Sequence, residues 1–386
     1  MGTATVPIDG RYDQRFEDVR RVFQENFDRG ELGAALVVYV DGEKLIDVWG
    51  GYADKQRTRP WEADTLAGFY SVGKPLAALC VLQLVDRGLL ELDAPVCRWW
   101  PEFATAGKHE ITVRELLCHR AGLQGLRQRL PEGAMLDWEL MTRALAEESP
   151  WFLPGYEHAY HTNTYGFLAG ELVRRTSGQP FGEYFREHVA RVVDADVVFG
   201  VSEEDLSRVA ELVWHPTGDP PAGVLDEEMD EQQRMIAHSY FNPSGFSSMG
   251  VMNTKEWRMA VIPSTNGHGS ARGVSRIYHV LAHGGTYKDQ VLISRELLGE
   301  ATAVQSRGPC PILETDVSFG LGFQRTRPDR PLGPNPNSFG HYGTGGSLGF
   351  ADPDNRLGFG YVINDIIPKW RNSRNHALIE AVYRCI

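Results

Sequence analysis

The residues best equipped for chemistry are Ser71-Val72-Gly73-Lys74, an S-x-x-K at the head of a long apolar run. On a helix, residues three apart share a face with a rise of ~4.5 Å, so the lysine amine can reach the serine hydroxyl. A free serine is a weak nucleophile and needs a base; a lysine whose pKa burial has lowered can be that base. A place near a helix N-terminus adds free N–H groups and partial positive charge for a developing oxyanion. Pro75 suits the first turn of such a helix, where its missing N–H matters least. The tetrapeptide alone also fits a serine N-cap followed by an exposed lysine, so its surroundings have to decide.

Those surroundings, DTLAGFYSVGKPLAALCVLQLVDRGLLELDAPV and then ITVRELLCHRAGL, resemble the superfamily of serine β-lactamases, penicillin-binding proteins and esterases. The resemblance is to its class C-like branch, closest to the family VIII carboxylesterases and related acyltransferases. It runs from about residue 33 to 364 and weakens between about 197 and 233. It implies a catalytic tyrosine at Tyr160 in PGYEHAYHTNTYGFLAGELVRRTSG, with His161 beside it at the substrate side. The β-lactamase form would be Tyr-x-Asn; this chain has Tyr160-His161-Thr162, and Asn163 comes one residue late. A phenolate held near Lys74 could take the Ser71 proton and later activate water or another acceptor. Nearby Tyr156 and Tyr165 suit packing.

At the place of the strand-borne Lys-Thr-Gly of penicillin-recognising members stands His341-Tyr342-Gly343, in FGHYGTGGSLGFADP. Imidazole in place of an ammonium removes much of the attraction for a substrate carboxylate. The resemblance implies a neutral His341 donating a hydrogen bond to substrate or to Tyr160. It also implies Gly343 lining the site and the Thr344 N–H joining that of Ser71 in an oxyanion hole. His119, in the HRAGL turn, is a family landmark expected to orient the helix connection.

Gly345-Gly346-Ser347-Leu348-Gly349 matches G-x-S-x-G, the nucleophile elbow of α/β-hydrolases. That elbow needs a strand before it, a helix after it, and later acid and histidine partners. After Ser347 come an apparent strand, a turn and another strand, with His376 the single histidine left, so Ser347 reads as structural and the glycines as points of close backbone approach to the site. There is no H-E-x-x-H, and His279 with His283 lack an acidic third ligand, so neither a metal nor a cofactor is expected.

The elements that must hold these residues can be read from periodicity. Phe16, Val19, Val22, Phe23 and Phe27 form one apolar stripe, predicting a helix over about 12–26. AALVVYV and LIDVWGG, joined by Asp41-Gly42, read as a hairpin, as do SLGFAD and LGFGYVIN near the other end, followed by a helix over about 374–383. These strand pairs most simply meet in one antiparallel sheet flanked by helices. Residues 71–88 are apolar nearly all round, marking a buried helix. ITVRELLCHRAGL, YGFLAGELVRRTSG, FGEYFREHVARVV and ARGVSRIYHVLAHGG also carry helical spacing, several stopping at glycine. LDEEMDEQ (225–232) reads as a solvated linker or helix face, and PDRPLGPNPN as a loop.

The chain has 386 residues, 39 Lys+Arg against 51 Asp+Glu and a formal charge of −12, which argues against nucleic acid as a partner. Its longest apolar stretches are far short of the ~20 residues that span a bilayer, and its start has neither a basic nor an apolar signal region. A cytoplasmic location without membrane association is expected. Five scattered cysteines without a C-x-x-C fit reduced thiols rather than a disulfide frame or zinc site.

The expected fold is therefore α/β (α+β) and β-lactamase-like. Residues 1–65 and 305–386 form a discontinuous domain around the sheet, and 66–304 form a mainly helical domain carrying Ser71, Lys74 and Tyr160. The expected activity is hydrolysis of a small carboxylic ester through an acyl-Ser71 intermediate, with Lys74 and Tyr160 as the base pair. An acyltransferase, passing the acyl group to an amine or alcohol, would use the same residues. β-Lactamase action or a non-catalytic binding role stand behind these two. The acyl group, the leaving group and the oligomeric state stay open; pocket-lining residues are expected within 197–233, with Trp99, Trp100 and Trp151 as further candidates.

Overall fold

The structure is a computed structural model and describes residues 6–214, 229–243, 251–367, 369 and 371–386. Its main element is an antiparallel sheet of strands β1 (Ile8–Tyr12), β2 (Gly33–Val40), β3 (Glu43–Gly51), β4 (Ser306–Cys310), β5 (Thr315–Phe319), β6 (Gln324–Arg325), β7 (Phe339–Tyr342), β8 (Leu348–Asp352) and β9 (Leu357–Ile363). Their order is β1-β3-β2-β9-β8-β7-β6-β5-β4. The two hairpins expected at opposite ends of the chain meet where β2 pairs with β9, from Val40 opposite Leu357 to Ala34 opposite Ile363. The outer strands β4 to β6 and the edge strand β1 were not anticipated. In β1, four of the five residues are exposed and pairing to β3 alone sets the conformation, so no buried face writes a pattern into IDGRY. The helix expected over 12–26 accordingly starts later, as α1 (Glu17–Asp28).

Alternate residues of a strand face opposite sides, and β9 uses this strictly. Tyr361 points to one face, where its hydroxyl donates to Glu31 Oε2 at 2.6 Å. Arg374, from the C-terminal helix α6 (Ser373–Cys385), pairs there with Glu31 at 3.1 Å and with Asp365 at 2.8 Å. Burial pushes the Glu31 carboxyl up to about 7 despite that guanidinium. Gly358 and Gly360 point to the other face, beside Gly349 of β8, and make a flat bed for helix α5 (Ala271–Ala282). A Cβ at Gly358 would lie 2.4 Å from the His279 backbone nitrogen, and one at Gly349 would lie 2.2 Å from the Tyr278 ring. Gly349 thus admits a helix on the sheet, not backbone at the site as expected. Helix α5, from the middle of the sequence, is packed against the sheet rather than within the helical stretch.

The buried run begins as a 3-10 turn at Tyr70–Val72 and continues as α2 (Gly73–Asp86), every residue of which is buried through Leu84. It packs against α3 (Thr164–Ser177), which stops at Gly178 in the left-handed region, φ 74°. ITVRELLCHRAGL yields only a short helix, Val113–Leu117, begun by a capping box between Thr112 and Glu115 and ended before His119 at φ 65°. Half of the acidic run, residues 225–228, lies outside the described residues. Its Asp230 caps helix α4 (Glu231–Phe241) through the Gln233 N–H. Among the described residues no helix is long and apolar enough to cross a membrane.

Candidate active site

Ser71 sits at the junction of two unlike conformations. Tyr70, just before it, holds φ at 49°, a left-handed value that is strained for a side chain of this size. The Tyr70 hydroxyl is anchored on Met252 Sδ at 3.0 Å, which holds the kink. The kink turns the chain into the 3-10 turn, so Ser71 lies one residue pair ahead of α2 and is 5% exposed. Lys74 lies in the first turn of α2, fully buried, with Nζ 3.1 Å from Ser71 Oγ and 3.1 Å from the Ser264 carbonyl oxygen.

Three glycines from three segments make that second contact possible. A Cβ on Gly73 would meet Pro263 O at 2.4 Å, on Gly166 it would meet Ser264 N at 2.3 Å, and on Gly267 the Phe69 ring at 2.3 Å. Their bare backbones let the loop around Ser264 close beneath Lys74. Asn266 locks the loop: its Oδ1 accepts from Ile262 N at 2.7 Å, and its Nδ2 donates to Trp257 O at 2.8 Å. Ser264 is a functional position that side-chain patterns could not reveal, because it acts through its carbonyl. The signal available was the turn-forming run PSTNGHGS ahead of a helix.

Burial alone drives the Lys74 amine well below its ordinary value, with no carboxylate offsetting it. A neutral amine fits its two contacts, donating N–H to Ser264 O and offering its lone pair to the Ser71 hydroxyl. Tyr160 completes the group: its ring centroid is 4.8 Å from Lys74 Nζ, and the Ser71 side chain acts on its hydroxyl. Burial pushes the phenol well above its ordinary range. The phenolate expected from the sequence is therefore not the form this pocket favours.

The Tyr160 segment is fixed from several sides. Its N–H donates to Cys310 Sγ at 3.3 Å, and the His119 ring packs against the Tyr160 ring at a tilt of 47°, centroids 5.0 Å apart. His119 Nδ1 accepts from the His161 N–H at 3.1 Å, so His119 does orient this connection, with Tyr165 also against it. His161 was expected to face substrate. Instead its Nδ1 donates to Ala159 O at 2.7 Å and its Nε2 accepts from the Leu123 N–H at 3.2 Å, which commits both nitrogens to backbone. Asn163 does not replace the missing amide, because its Nδ2 donates to Ser239 O of α4 at 2.9 Å.

His341, on β7, is fully buried with its ring centroid 5.9 Å from that of Tyr160. Its Nδ1 lies 2.6 Å from Tyr342 O, a group that can only accept. Burial holds the imidazole well below its ordinary pKa, so it is neutral, with its proton on Nδ1. Nε2 is then an acceptor, which corrects the expected donor. Gly343 follows, and a Cβ there would lie 2.2 Å from Phe69 O; its absence lets β7 close on the Ser71 turn. The Gly343 N–H is taken by Ser347 O at 2.7 Å. Ser347 itself is buried and leads into β8 rather than a helix, so it is no nucleophile elbow.

Thr344 opens onto a cavity of about 440 Å³ lined by Trp214, Tyr240, Leu313, Arg330, Lys369 and Arg371. Trp214 is the contribution of the weakly matching segment among the described residues. Trp99, Trp100 and Trp151 do not line it: Trp100 packs on Phe103, and Trp151 is covered by Arg127 at 3.9 Å. No cluster of three or more His, Cys, Asp or Glu side chains suited to a metal occurs among the described residues.

The Beta-lactamase family profile matches residues 19–383. The chain belongs to the beta-lactamase family. It is 35% identical over 369 residues to Esterase/beta-lactamase LipL of Mycobacterium tuberculosis, covering 93% of this chain and 83% of that protein. The crystal structure of a family VIII carboxylesterase superposes with a TM-score of 0.90 at 36% identity, covering 98% of this chain and 100% of the other. A penicillin-binding protein homolog from Caulobacter crescentus gives the same TM-score at 38% identity and the same coverage.

Proposed function

We propose that this member of the beta-lactamase family is a serine hydrolase of the carboxylesterase type acting on small-molecule esters. Neutral Lys74 takes the Ser71 proton as Ser71 Oγ attacks the ester carbonyl. The oxyanion that forms is received by the N–H groups of Ser71 and Thr344, beside the bare Gly343. As the tetrahedral intermediate collapses, the C–O bond to the alcohol breaks and Tyr160 hands its proton to the departing oxygen, while the proton on Lys74 restores Tyr160. Water then attacks acyl-Ser71, giving up one proton to the same pair; the carboxylic acid leaves and the Ser71 hydroxyl is restored. His341 and His161 play different parts, His341 accepting from a hydroxyl near Tyr160 and His161 holding the Tyr160 segment.

The single observation that carries this reading is the fully buried Lys74 amine, 3.1 Å from Ser71 Oγ and without a carboxylate to keep it charged. The family VIII carboxylesterase, and LipL in the esterase half of its name, support an ester as substrate, and His341 at the place of the charged lysine supports the choice of ester over lactam. A fluorophosphonate probe followed by intact-mass analysis tests it. Wild type is expected to gain one adduct on Ser71 and Ser71→Ala none; equal labelling of both overturns the proposal.

A further inference from the structure

The two edges of the main sheet are treated differently by the fold. At one edge, β4 carries Pro309, which has no N–H to offer, and its Gly308 carbonyl oxygen lies 3.3 Å from His158 Nε2. The Tyr160 N–H also reaches Cys310 Sγ, so the Tyr160 segment covers that strand. At the other edge, β1 pairs with β3 on one side only, and four of its five residues are exposed. The Asp13 N–H donates to Leu45 O at 2.8 Å in the same register. By alternation, the odd-numbered residues of β1 turn their backbone groups to β3, and Ile8, Gly10 and Tyr12 turn theirs outward. Among the described residues nothing outside β3 is hydrogen-bonded to those three backbones. An open edge of this kind is a template for another strand.

The side chains of β1 select which strand. Asp9 and Arg11 share one face, opposite Trp49 and Asp47 of β3, and border a groove of about 750 Å³ that Arg272 of α5 also lines. Lys44 and Arg272 are both committed to Asp47, whereas among the described residues neither Asp9 nor Arg11 forms an ion pair. Outward groups at even positions allow two antiparallel copies of β1 to meet about an axis at residue 9, 10 or 11. An axis at residue 9 sets two aspartates face to face, and one at residue 11 sets two arginines face to face, both unfavourable. An axis at Gly10 places no side chain at the centre. It sets each Asp9 opposite the partner's Arg11, in a pair without hydrogen bonds, where side chains come closest, and each Ile8 opposite the partner's Tyr12.

We infer that the partner of β1 is a second copy of this chain, the two β1 strands pairing antiparallel about a two-fold axis at Gly10 and joining two sheets into one. Such a contact is isologous, so it closes at two copies and leaves no free edge there. β1 lies five strand positions, ~24 Å, from β7, so the pairing leaves the Ser71 site untouched.

Sedimentation velocity of the full chain over about 1–100 µM is expected to show a monomer–dimer equilibrium. Asp9→Arg and Arg11→Asp each set like charges opposite one another twice per dimer, and each is expected to raise Kd at least about tenfold. Both changes in one chain put opposite charges back across the axis and are expected to return Kd to within about threefold of wild type. A second measurement needs no charged variant. When Asp9→Cys and Arg11→Cys chains are mixed and oxidised, a disulfide-linked dimer containing one of each is expected, because those positions face each other across the axis. A monomer throughout the concentration range, a dimer indifferent to both single reversals, or a double reversal no tighter than the single ones overturns the inference. So does a cysteine mixture that links no more than either variant alone.

Discussion

Lys74 and Lys108 are both sealed from solvent, both lie over an aromatic ring, and both donate to backbone carbonyls, yet their surroundings favour opposite charge states. Lys108 Nζ donates to Thr105 O at 3.0 Å, Ala146 O at 2.9 Å and Glu148 O, three acceptors for the three protons of an ammonium. The Glu148 carboxylate adds attraction, and burial lowers the amine only to about 8. Lys74 has one carbonyl and one hydroxyl and no carboxylate, and burial alone holds its amine well below its ordinary value. Burial by itself therefore does not mark a base. On the proposed mechanism, what marks it is a count of acceptors short of three, with the serine hydroxyl filling one of the places.

The contrast can be broken most forcefully at Lys74. Lys74→Met is expected to lower kcat/KM for a neutral aryl ester by about 10³ to 10⁴, the upper part of what proton transfer contributes, while chemical unfolding shows no loss of stability. Removing a desolvated amine for a chain of similar shape leaves little to pay in the core. A loss below tenfold would show that another group takes the Ser71 proton. Tyr160→Phe comes next, with an expected drop of about 10² in kcat and a build-up of acyl-Ser71 visible by intact mass. If no acyl-enzyme accumulates and kcat holds, Tyr160 has no part in proton transfer.

Lys108→Met should give the mirror image of Lys74→Met. Three carbonyl oxygens lose their donor, and a stability loss of about 1–3 kcal/mol in urea is expected with kcat/KM unchanged. A catalytic loss with stability retained would erase the distinction between the two lysines. The smallest expected effect is in its pH dependence. The native Lys108 releases its proton near pH 8, whereas the unfolded chain keeps it to about 10.4. Between those values the unfolded state binds the extra proton, so wild-type stability, measured against Lys108→Met, rises with pH. Below pH 8 the difference is flat. A fall across that window would mean that Lys108 is stabilised, not strained, by its burial.

The sequence carries the two lysines very differently. Lys74 stands out through S-x-x-K and its apolar helix, whereas Lys108, in TAGKHEI, has nothing that foretells three converging carbonyls. The central hairpins and α2 were legible because their apolar periodicities reflect burial. The edge strand β1 and the strands β4 and β6 were not, because β1 is mostly exposed, β4 (SRGPC) carries almost no apolar residue and β6 spans only two residues, which leaves little local pattern. Ser264 escaped notice since any residue offers a carbonyl. The glycines that admit its loop lie in three separate segments, and only the folded chain brings Gly73, Gly166 and Gly267 together. The roles of His341 and His161 turned on which ring nitrogen meets a backbone carbonyl, a matter of geometry that residue type does not encode.

The central claim is that Lys74 is neutral when Ser71 reacts, and the pH profile of Ser71 phosphonylation by a fluorophosphonate tests it most directly, since that step needs the base but no deacylation. The inactivation rate constant is expected to rise with pH and level off well below 10.5, the ordinary value for a lysine amine, and the rise should be absent from Lys74→Met. A rate still climbing tenfold per pH unit through pH 10, or the same profile in Lys74→Met, would contradict it.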